Sequence, residues 1–186
     1  MTVLFQLPID IHVYIFNFLS PSDILTMRKT CKTICTATFL RVVWIAALKG
    51  MCIENTVYDP SFPIEEMSIR DMERAAMGPQ KWEKIVNKYT DQPTPPIHIT
   101  TLSEELIEYD AGRPHELFLI PGGRFLVTLL VGYLSLWDLS LSCMATPKLM
   151  GRRWMDTAVC TIHPSSDGLS IRILTIPSRT DFDTNK

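Results

Sequence analysis

Apolar residues repeat at helical spacing up to about residue 90 and at strand spacing beyond it, with Asp91-Gln92-Pro93-Thr94-Pro95-Pro96 in between. That switch of period constrains this chain most. Period 3.6 and period 2 cannot serve one element, so helices come first and strands follow. The proline-rich segment reads as a stiff linker without secondary structure. The fold class that follows is α+β, with an antiparallel β-meander as its second half.

Within the first fifty residues the helical signals are local and chemical. Pro8 suits the start of a helix, where its missing N–H costs nothing and its fixed φ is already helical. Ile11, Ile15, Phe18 and Leu19 then form one apolar stripe, and Asp10 favours the positive end of the helix dipole. Ser20-Pro21-Ser22-Asp23 reads as a restart, with Ser20 as N-cap, Pro21 at the first helical position and Asp23 bonding back as in a capping box. Ile24, Leu25, Met27 and Cys31 continue an apolar face, while Arg28, Lys29 and Lys32 are expected to face water. Phe39 to Leu48 is helical in pattern, and Gly50 is the expected stop. About 40 residues in short helices bury little surface alone, so part of the apolar stripe should be covered by another protein.

The ordered combination Leu7-Pro8, Asp10-Ile11, Ile15-Phe16, Leu19-Ser20-Pro21, Asp23-Ile24-Leu25 and Val43-Trp44 resembles an F-box. Many members of that family carry an aromatic residue after the Cys-basic pair. Here Cys31-Lys32 is followed by Thr33-Ile34, with Ile34 available to fill the slot. The resemblance implies a docking module for the Skp adaptor of a cullin-based SCF ubiquitin ligase, recruiting an unknown protein client. It implies that Leu7, Pro8, Ile11, Ile15, Phe18, Leu19, Leu25 and Trp44 hold that partner. A non-catalytic scaffold, whose F-box-like helices serve only internal packing, is the alternative.

Residues 51–92 read as a helical spacer. Ser68 with Asp71 three residues later repeats the capping pattern, and Met67, Met72, Ala75 and Ala76 give a buried side. Gly78-Pro79 breaks that helix, and Gln80 to Tyr89 restarts with Trp82, Ile85, Val86 and Tyr89 as its apolar side. Met72-Glu73-Arg74-Ala75 and Lys81-Trp82-Glu83 resemble the corresponding part of basidiomycete-type fungal F-box proteins. The expected organisation is 1–50 docking module, 51–92 spacer, 93–186 β-rich region.

In the β-rich region, His115 to Ile120 and Arg124 to Leu130 read as strands joined by Pro121-Gly122-Gly123, and Gly132 marks a tight connection to Tyr133–Trp137. Leu134-Ser135-Leu136-Trp137-Asp138-Leu139 resembles the last strand of a WD-repeat propeller blade. Met155 to Ile162 and Leu169 to Ile176 would open the next, with Ser165-Ser166-Asp167-Gly168 as hairpin turn. Ninety-three positions suffice for one to two blades of about 40 to 45 residues, and closure needs at least four. The region is therefore expected to be either an incomplete propeller, from a shortened product of a longer protein, or an open sheet of another kind. The uncharged strand Phe125 to Val131 would lie at an edge, residues from about 155 would be loosely held, and Ser178 to Lys186 would be disordered.

No constellation points to an enzyme. His12, His98, His115 and His163 are scattered, Glu104-Glu105 lies on a polar segment, and Pro121-Gly122-Gly123-Arg124 lacks the spacing and Lys of a phosphate loop. A hydrolase built on Cys160 and His163 is the best enzyme reading and has nothing else behind it. Cys31, Cys35, Cys52, Cys143 and Cys160 lack the paired spacing of a zinc site and read as small buried hydrophobes, so no cofactor or metal is expected. The first fifty residues hold five Lys/Arg against two Asp/Glu, within a chain of net charge −2, so no basic tract calls for nucleic acid. The longest uncharged apolar stretch, Phe125 to Trp137, is interrupted by Gly132 and too short to span a bilayer. Asp10 interrupts the first apolar run and no basic residue precedes Arg28, which argues against a secretory signal and for an intracellular protein, cytoplasmic or nuclear.

Overall fold

In a computed structural model the chain is α+β and divides into two compact units. Residues 6–88, 99, 116–130, 132–140, 146–155 and 157–177 are described. The linker at 91–96, Tyr89, His98, Glu104, Glu105, His115, Val131, Cys143 and the tail 178–186 lie outside them.

The first unit comprises Met1–Asn55 and Phe62–Pro95 and is helical: α1 (Ile9–Phe16), α2 (Pro21–Met27), α3 (Lys32–Ala37), α4 (Arg41–Glu54), α5 (Ile69–Ala76) and α6 (Gly78–Lys88). Pro8 stands one place before α1, and its carbonyl accepts from the Ile11 and His12 amides. Ser20 caps α2 by accepting from the Asp23 amide at 3.2 Å. The Ser20 hydroxyl in turn donates to the Asp23 carboxylate at 2.7 Å, which does not reach the Ser20 amide as a capping box would. Ser68 and Asp71 repeat this at α5, and the Ser68 hydroxyl holds the Asp71 carboxyl below its ordinary value.

Three expectations are corrected here. Cys31 does not extend α2, which ends at Met27; it is the N-cap of α3. Gly50 does not stop α4, which runs on to Glu54. A helical glycine costs about 0.5–1 kcal/mol, whereas burying Met51 and Cys52 in the next turn contributes more, so burial wins. Arg28 does not face water. Its Nε donates to Thr38 Oγ1 at 3.0 Å, its Nη2 to Glu73 Oε2 at 2.8 Å, and its guanidinium lies 4.6 Å from the Phe39 ring and 5.5 Å from the Trp44 ring. Arg41 makes a parallel tie, donating to the carbonyls of Met67 and Ile64. The core of this unit is Phe16, Ile24, Ile34, Val43, Trp44, Leu48 and Met72. No residue of α6 is buried.

The second unit comprises Thr56–Ser61 and Pro96–Lys186. It contains a four-stranded antiparallel meander, β1 (Glu116–Leu119), β2 (Phe125–Leu130), β3 (Tyr133–Asp138) and β4 (Lys148–Trp154), and a hairpin of β5 (Thr157–Pro164) with β6 (Ile171–Pro177). β4 went unread in the sequence, because Lys148-Leu149-Met150-Gly151-Arg152-Arg153-Trp154 has no alternation. Two further expectations are corrected. β2 is interior, paired with both β1 and β3, so it is no edge. The strand ending in Trp137-Asp138 is the third of its sheet, not the last.

Arg124 clamps that turn of the sheet. Its Nε and Nη2 donate to the Asp138 carboxylate at 2.8–3.2 Å, and the Ser140 amide donates to the same group at 2.9 Å. Those bonds hold the Asp138 carboxyl below its ordinary value. The short segment Thr56–Ser61 packs into this unit although helices flank it in sequence. The Tyr58 amide donates to Pro121 O at 3.1 Å, the Asp59 amide to Gly168 O at 3.1 Å, and the Tyr58 ring meets Phe125 edge-on at 5.8 Å. Gly122, at φ +112°, lets the chain pass against Ser61, where a Cβ would collide.

Candidate partner-docking surface

The register of α1 decides what the first unit leaves open. Its two turns bury His12 and Phe16, four residues apart, so the remaining apolar side chains must point elsewhere. Ile9, Ile11 and Tyr14 of the helix, and Phe18 in the turn just beyond it, are 49%, 41%, 63% and 72% exposed. Tyr14 and Phe18 pack edge-to-face at 5.1 Å, which makes one connected aromatic patch. Large apolar side chains grouped in this way on a surface mark an interaction site.

The side chains named from the sequence fall into three groups. Pro8, Ile11 and Phe18 are exposed. Leu7, Ile15, Leu19 and Leu25 are half-buried, each with an accessible edge. Trp44 is fully buried, and its indole N–H donates to Thr38 O at 2.8 Å. Trp44 therefore belongs to the core that holds the patch in shape. Tyr14 was missed, whereas Ile9, two residues from Ile11, is exposed on another side of the helix. Tyr14 lies three residues after Ile11 and four before Phe18, so helical spacing alone placed it on the same face.

Among the described residues no three His, Cys, Asp or Glu side chains group as metal ligands, and no helix is long and apolar enough to cross a membrane. Cys31 and Cys35 are half-buried, and Cys52 is buried. The patch can bind, and its chemistry is that of apolar contact.

The helical unit thus leaves an apolar edge at α1 uncovered, within its first fifty residues. Residues 4–45 match the family model of the F-box domain, so the module that this chain carries is an F-box. An F-box supports a role as adaptor in SCF ubiquitin ligases. Comparison with curated proteins and with solved structures gave no match.

Proposed function

We propose that this chain is a substrate-recruiting F-box subunit of an SCF-type cullin ubiquitin ligase. The observation that carries the reading is the uncovered edge of α1, where Ile11, Tyr14 and Phe18 stand exposed within the matched segment. Leu7 and Pro8 lead into that edge, and Ile15, Leu19 and Leu25 border it. The Skp adaptor covers the patch, Trp44 stiffens it from behind, and the cullin complex supplies the transfer chemistry. The chain contributes none of its own. A protein client is held elsewhere on the chain, and the complex works inside the cell.

Isothermal calorimetry of the full chain with purified Skp adaptor tests this. A saturable 1:1 complex supports the reading. Absence of heat with a folded chain contradicts it and leaves a scaffold with internally packed helices.

A further inference from the structure

We propose that the second unit binds a small amphipathic carboxylate, its tail inside a cavity between the two sheets and its carboxylate at Arg153. This inference is independent of the docking reading. The cavity measures about 420 Å³, within the range of small-molecule sites, and its wall is overwhelmingly apolar. Leu134 and Leu136 of β3 form one side, Ile171 and Ile173 of β6 the other, and Tyr58 closes part of the rim. A volume of that size exceeds any one side chain, so a single inserted residue of a partner would leave most of it empty.

The register explains why the space is there. Residues directly opposite in antiparallel strands share a face, so Val127, Leu136 and Gly151 form one row. The row ends on a glycine, and a Cβ built at Gly151 meets no atom within 4 Å. Its backbone is not in the left-handed region, so nothing in the conformation demands glycine there. The missing side chain is what opens the cavity.

The adjacent row ends on a charge. Leu129, Leu134 and Arg153 face the same way, which puts a guanidinium at the mouth. No carboxylate lines the cavity, and Arg153 has no acidic partner among the described residues. Glu116 begins that same row, three strand spacings or about 14 Å away, too far to neutralise it. Arg152, one residue earlier, also borders the cavity, but its guanidinium lies over the Tyr133 ring at 4.2 Å, on the face that Tyr133 and Ser135 share. A long apolar wall with cationic side chains and no carboxylate at its border selects an apolar tail with an anionic end.

The test uses the full chain and three probes of equal tail length: dodecanoate, dodecanol and dodecyltrimethylammonium. Dodecanoate should bind saturably in calorimetry, and the ammonium probe at least tenfold more weakly. Gly151→Leu should abolish dodecanoate binding while the ligand-free melting temperature is kept or raised. Arg153→Gln should weaken dodecanoate at least fivefold and leave dodecanol unchanged. Equal binding of all three probes, undiminished binding by folded Gly151→Leu, or no binding of dodecanoate would each overturn the proposal.

Discussion

Arg28 Nη2 donates to Glu73 Oε2 at 2.8 Å, and that one contact ties the F-box to the helix α5 that follows it. The same guanidinium reaches Thr38 through Nε and stacks near Phe39 and Trp44, so it uses both its hydrogen-bond donors, at Nε and Nη2, and its flat face. With the Arg41 bonds to Met67 and Ile64, the helices after residue 62 brace the F-box within one unit.

Arg28→Ala should therefore lower the stability of the helical unit by about 2–4 kcal/mol, since it removes a charged hydrogen-bonded pair and two ring contacts. Arg28→Lys should recover less than half of that loss, because an ammonium cannot serve Thr38 and Glu73 together. Urea unfolding followed by far-UV circular dichroism reads both variants.

Trp44→Ala should cost about 3–5 kcal/mol, the usual cost of emptying a fully buried aromatic position. Adaptor binding should then fall only through unfolding. Conditions that restore the fold should restore the affinity. An intact fold with lost binding would place Trp44 in the partner contact instead.

Much of this was readable in the sequence, and the reasons are physical. The starts of α2 and α5 follow from Ser20 with Asp23 and from Ser68 with Asp71, signals that act within one turn. The exposed Ile11 and Phe18 were readable because short helices cannot cover every apolar side chain. What failed depends on distant residues. Helix α4 passes Gly50 because the core takes Met51 and Cys52, and Arg28 turns inward because Glu73 lies 45 positions away in sequence. Thr56–Ser61 has no periodicity; it joins the β-unit through hydrogen bonds to Pro121 and Gly168, which no local pattern announces.

Acid should weaken the β-unit through Asp138. Its folded pKa lies below the ordinary 3.8, chiefly through the Arg124 hydrogen bonds. The stabilisation is complete above the unfolded value and is lost as pH falls through the folded one. Asp138→Asn should flatten the stability profile below pH 4 and lower stability at pH 7 by about 1.5–3 kcal/mol. Unfolding titrations from pH 7 to pH 2 measure it.

Hydrogen exchange should rank the strands. β2 is bonded on both sides, whereas among the described residues β5 and β6 pair only with each other, and a two-stranded ribbon is marginal. Amides of Val127–Leu130 should be the slowest of the unit, and those of Ile171–Ile176 should exchange much faster. Equal protection would show that the hairpin is as firmly held as the meander.

The claim at the centre is that the uncovered edge of α1 is the adaptor's seat, and the double variant Ile11→Ala with Phe18→Ala addresses it most directly. Both side chains are exposed, so the melting temperature should change little, while truncating two apolar anchors should weaken binding about a hundredfold or more. Calorimetry against purified Skp adaptor, paired with thermal unfolding, reads both quantities. Loss of affinity with an unchanged melting temperature is the predicted result; unchanged affinity in a folded double variant would contradict the assignment.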